Sequence, residues 1–116
     1  MASVNRVVLL GNVGHTPKIS YMQSGAAVCT FSMATSMKFK SDSGEVQENT
    51  EWHNCVAYGR LAEVINEYVQ RGNRIYIEGR LRTRKYTARD GHDKWTTEVI
   101  IESAQIFRNK EAENDA

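Results

Sequence analysis

Proline is nearly missing from this sequence of 116 residues, where only Pro17 is present. Cysteine is almost as scarce, since Cys29 and Cys55 are the only two and lack CxxC spacing. That usage argues against a disulfide framework and suits a reducing compartment. His53 and Cys55 alternate onto one strand face, but no third or fourth ligand is evident. The two cysteines therefore read as buried core thiols, and neither metal nor cofactor is expected. Apolar runs of about 18 residues are absent, as are a signal peptide and a transit-like leader, so a cytoplasmic protein with no membrane partner is the expectation. Repeats and low-complexity segments are lacking too. A single domain over 1–108 follows, with 109–116 as a short polar end that frays.

Charge of one sign is also lacking, because 15 basic and 14 acidic residues leave a net charge of +1. Their distribution says more. Between Arg71 and Arg89 stand seven basic residues and one acid, Glu78. Such a stretch can hold an anion such as a nucleic-acid backbone, or simply keep an edge strand solvated. Catalytic constellations are missing: His15, His53 and His92 fall on separate elements, no Ser sits in a nucleophile elbow, and neither a phosphate-cradling glycine loop nor an HExxH pair exists. An enzyme is not expected.

What is present centres on Thr50 to Gly72. Glu51 to Tyr58 is rich in aromatic and β-branched residues and predicts a strand, with Trp52, Asn54, Val56 and Tyr58 on one face and His53, Cys55 and Ala57 on the other. The period then changes. Leu61, Val64, Ile65, Tyr68 and Val69 form one apolar helical stripe, with Gly72 as its stop signal.

Around this unit, Val4 to Val13 is apolar at Val7, Val8, Leu9 and Leu10, as in a strand covered on both faces by its own barrel and by another subunit. Lys18 to Met22 suggests a short strand, and Ala27 to Ser36 alternates as a half-buried one. Met37 to Asn49 reads as a long flexible hairpin loop that presents Phe39 between Lys38 and Lys40. In Arg74 to Leu81, Ile75, Ile77 and Leu81 face the core. A second hairpin, turned at Asp90-Gly91, presents Arg84, Lys85 and Tyr86, and Trp95 to Phe107 completes the strands with Val99 and Ile101 opposite Glu98 and Glu102.

The expected fold is all-β with one short helix: a five-stranded Greek-key barrel of the OB type, carrying long basic hairpin loops. Its surface chemistry is rings beside cations: Phe39 with Lys38 and Lys40, Trp52 and Tyr58 with Arg60, Tyr86 with Arg84 and Lys85. Single-stranded nucleic acid needs that mixture, because any base can stack on an aromatic ring, worth roughly 1–3 kcal/mol per base, while cations neutralise the phosphates. Sequence preference should be weak.

The segments VNRVVLLGNVG, YMQSG, TEWHNCVAYGRLAEVINEYVQRG, IYIEGRLRTRKY and TTEV, in this order and spacing, resemble the bacterial single-stranded-DNA-binding proteins of the homotetrameric kind over about residues 3 to 107. The resemblance implies base stacking at Phe39, Trp52, Tyr58 and Tyr86, the rings already singled out. It further implies phosphate contacts from Lys40, Arg60, Arg71, Arg84 and Lys85, and subunit contacts involving His53 and Tyr76 in a dimer of dimers. Replication, recombination and repair are the implied settings, and the bacterial nucleoid the implied location.

Three departures matter. Phe39 and Tyr86 stand where tryptophan is common in the family, and Asn54 stands where a cation can occur. No acidic Pro-Phe tip follows Glu111 to Ala116, so recruitment of other proteins through such a tail is not expected. The intact TEWH and RTRKY segments argue against a primosomal relative. The Met1 start and the uninterrupted Tyr58 to Val64 turn look bacterial rather than mitochondrial. From a different class, an OB module whose rings meet a partner protein is separated by salt, since counterion release weakens only nucleic-acid binding steeply.

Overall fold

The computed structural model describes residues 2–107. The elements run β1 Val7–Val13, β2 Lys18–Tyr21, β3 Ala27–Lys40, β4 Val46–Tyr58, α1 Gly59–Tyr68, β5 Arg74–Thr87 and β6 Asp93–Phe107. The polar end expected at 109–116 lies outside the described residues.

β1 pairs with β5, β5 with β6, β6 with β4, β4 with β3, and β3 returns to β1, so five strands close a ring while β2 adds to the free edge of β3. This is the closed five-stranded barrel that the strand pattern predicts. Two junctions are brief: β1 meets β3 only at Asn12–Ala34 and Val13–Met33, and β4 meets β6 in parallel only at Cys55–Val99 and Val56–Ile100.

Alternation decides what fills the barrel. Cys29, Phe31 and Met33 of β3 and Cys55 and Ala57 of β4 point inward to meet Ile75, Ile77 and Val99. Burial pushes the Cys55 thiol up to about 12 and raises that of Cys29, so both stay protonated as small apolar groups. Helix α1 packs on this core with Ala62 and Ile65, followed by Val69, all buried; burying a side chain such as Ile65 is worth about 1.5–3 kcal/mol.

The expected helical stripe is therefore displaced. Tyr68 sits at its margin and is exposed, while Ala62 takes the buried place. Nor does Gly72 stop the helix. Val69 is already extended, with its N–H donating to the Ile65 carbonyl at 2.9 Å, and Gly72 lies in the next turn, where its N–H meets Val13.

Two further expectations give way. Met37 to Asn49 is mostly paired strand: β3 runs to Lys40 and β4 starts at Val46, with Phe39 opposite Gln47. Solvent wets both faces of that ribbon, so it has no apolar alternation to betray it. Leu81 shares the inward side of Ile75 and Ile77 but lies beyond the last β1–β5 pair, Val7–Gly79, and is 48% exposed at the rim. Of the apolar run in β1, Val7 and Leu9 pack on the core, whereas Val8 and Leu10 face outward and are exposed.

The register of β5 with β6 slips once, from Glu78–Ser103 to Gly79–Ile101, leaving Glu102 as the extra residue. This bulge reverses the alternation of β6. Val99 and Ile101 point inward before it, and Ala104 and Ile106 after it.

Candidate nucleic-acid interface

Beyond the barrel, two strand pairs continue as free-standing ribbons. The first arm carries six pairs from Thr35–Glu51 to Lys40–Val46, and the second carries six from Arg82–Glu98 to Thr87–Asp93. Each is closed by the same turn. The Ser41 N–H donates to the Glu45 carbonyl and the Gly44 N–H (φ 85°) to the Ser41 carbonyl, as Ala88 donates to His92 and Gly91 (φ 84°) to Ala88, with glycine in a left-handed position that favours it.

Cross-strand register then assigns the side chains to faces. Trp52, Asn54, Val56 and Tyr58 of β4 lie on the outer face of the barrel, and Arg82, Arg84 and Tyr86 of β5, with Thr96 and Glu98 of β6, continue the same face along the second arm. Three of the four expected rings are brought together in this way. Trp52 is 61% exposed and Tyr86 40%, while Tyr58 is half-buried. The benzo edge of Trp52 rests over Gly14, where a Cβ would come within 2.4 Å of the ring. Only glycine lets the indole settle there with its remaining surface open.

Phe39, 39% exposed, belongs to the other side of the first arm, in line with Thr35 and Met37. Lys40 shares the side of Trp52. Lys85 lies opposite Arg84 and Tyr86, at 3.1 Å from Asp93 and 5.9 Å from the centre of the Trp95 ring. Arg60 projects from the first turn of α1, 84% exposed and 3.4 Å from Glu63, and Arg71 is exposed in the connection to β5.

Under the face runs a polar network. Glu98, 5% exposed, accepts from Arg82 Nη2 at 2.7 Å and from Arg84 Nε at 3.0 Å. Arg82 Nη2 also donates to the Tyr58 hydroxyl at 2.7 Å, and its guanidinium carbon is 5.6 Å from the centre of that ring. Glu98, and then Tyr58, hold the Arg82 pKa above its ordinary value. A depression of about 340 Å³, lined by His15, Thr30, Ser32, Asn54, Arg84 and Thr96, extends the face between the arms. His15 Nε2 and Ser32 Oγ are 2.9 Å apart at its floor.

His53 and Tyr76 sit elsewhere. His53 is half-buried, with Nε2 2.9 Å from Thr35 Oγ1. Tyr76 is on the β1–β5 wall beside exposed Leu10, and its hydroxyl donates to Glu78 at 2.6 Å; that bond raises the phenol pKa. Among the described residues no three His, Cys, Asp or Glu side chains gather as a metal site, and no helix is long and apolar enough to cross a membrane.

Arg82, Glu98 and Trp95 were not singled out from the sequence. Trp95 had a signal, a ring next to Lys94 in the same ring-and-cation pattern used elsewhere. Arg82 and Glu98 had none, because their meeting depends on a register set across 16 residues.

The outer face thus offers rings for stacking, guanidiniums for anions and no convergent catalytic groups. The model of the single-strand binding protein family matches residues 4–107. The structure is also similar to that of a Plasmodium falciparum SSB in complex with single-stranded DNA, with a TM-score of 0.85, 31% identity and coverage of 93% of this chain and 98% of the other. With the match extending over every described element, this chain belongs to the single-strand binding protein family.

Proposed function

We propose that this protein binds single-stranded DNA without reading its sequence and shields it during replication, recombination and repair, making and breaking no covalent bond. The observation that carries this reading is the outer face that gathers Trp52, Tyr58 and Tyr86 with Arg82 and Arg84. Bases stack on Trp52, Tyr58 and Tyr86, and on Phe39 where the strand crosses to the other side of the first arm. Lys40, Arg60, Arg71, Arg84 and Lys85 supply the phosphate contacts, joined by Arg82. Lys85 and Arg60 must first release Asp93 and Glu63, both exposed pairs of the weak kind.

The binding unit is one domain over 1–108, working in the bacterial cytoplasm as a dimer of dimers. Val8 and Leu10, exposed on the β1–β5 wall next to Tyr76, are the apolar surface that supports assembly, with His53 a second contact.

Titration with dT oligomers of graded length, read by tryptophan emission and by mass, tests the whole proposal. Emission should be quenched, complexes should have four copies, and log affinity should fall against log salt with a slope of about −0.7 per phosphate contacted. Indifference to poly(dT) at low salt, or a monomeric mass, overturns the corresponding half.

A further inference from the structure

Trp95 is 68% exposed, more than Trp52, Phe39 or Tyr86, yet it lies on the reverse side of the second arm, away from the face described above. Its cross-strand partner is Lys85, whose ammonium stands 5.9 Å from the ring centre while also 3.1 Å from Asp93. Leaving an indole in water forgoes the burial that its large apolar surface would gain. An adjoining cation on a positively charged ribbon is, however, the pairing that serves stacking on the outer face. The arm carries Arg82, Arg84, Lys85, Arg89 and Lys94 against Asp90, Asp93 and Glu98. That charge favours a polyanion over a protein surface as occupant. The exposed β1–β5 wall differs, since Val8 and Leu10 there have no cation over a ring.

We infer that Trp95 and Lys85 form a second strand-contact site, so that single-stranded DNA rounds the edge of the second arm and is held on both sides of it. This rests on the single-stranded-DNA reading proposed above. A base stacks on the free side of the indole. Lys85 exchanges the exposed Asp93 carboxylate, which Thr87 Oγ1 also reaches at 3.3 Å, for a backbone phosphate.

Trp52→Phe leaves Trp95 as the sole tryptophan and keeps a ring at the other site. Binding of end-labelled dT oligomers to this variant is followed by anisotropy while the emission of Trp95 is recorded. The emission should be quenched as anisotropy saturates. In the otherwise unaltered chain, Trp95→Ala should weaken binding of oligomers long enough to round the arm about fivefold or more, with shorter ones little affected. Binding by anisotropy with unchanged Trp95 emission, or an unchanged affinity of Trp95→Ala, overturns the second site alone. A loss of self-association in Trp95→Ala with unchanged DNA affinity does the same and assigns the ring to a protein contact. Absence of any binding at low salt defeats the broader reading instead.

Discussion

Residues 35–51 and 82–98 make two ribbons of one design, with six pairs each, a five-residue turn, glycine in the same place and a ring, Phe39 or Tyr86, in the fifth pair out from the barrel. Their charges are opposite. The first arm has Lys38 and Lys40 against Asp42, Glu45, Glu48 and Glu51, net −2, whereas the second has five basic residues against three acids, net +2. In the first arm Lys38 also pairs in register with Glu48, on the side that carries Trp52. A shared backbone plan therefore does not mean a shared task. Under the proposed function both arms offer surfaces for bases, and the second arm carries most of the field that would draw a phosphate backbone.

The sharpest way to break this division is to remove rings. Trp52→Ala and Tyr86→Ala should each cost about 1–3 kcal/mol of binding per engaged base, at high salt as at low, when oligo(dT) affinity is measured by anisotropy. A loss confined to one of them leaves the other ring out of stacking. Cations come next. Arg84→Ala should flatten the log-log salt slope by about 0.7, whereas Lys38→Ala should change it less, because its register partner Glu48 already offsets it. Equal flattening would erase the contrast between the arms. The smallest effect is a gain: Glu48→Lys gives the first arm some of the second arm's character and should raise affinity by about 0.2–1 kcal/mol at low salt, fading as salt rises. In each variant Cys29 and Cys55, shut inside the barrel, should stay unreactive to thiol reagents at neutral pH, which reports that the fold is intact.

How far the sequence revealed this molecule depended on whether water lies on one side of a strand. Ala27 to Ser36 and Glu51 to Tyr58 were legible because one face of each packs on the core, and the alternation that results is visible in Cys29, Phe31 and Met33. The outward positions of Trp52 and Tyr58 came from the same rule. Residues 37–40 and 46–49 were not legible as strand, since a ribbon wet on both sides selects no apolar period. For the same reason Phe39 and Lys85 could be named but not assigned to a side until register was known. Leu81 fitted the period and still misled, because the barrel ends before it does.

Glu98 is one carboxylate between two guanidiniums, so the pair it holds keeps a surplus positive charge. Two long, supple side chains thereby lose much of their freedom when the chain folds rather than when a ligand arrives. The entropic toll of aiming them is settled beforehand, so that under the proposed function an incoming strand would meet a stiff, half-neutralised cradle already pointing its way.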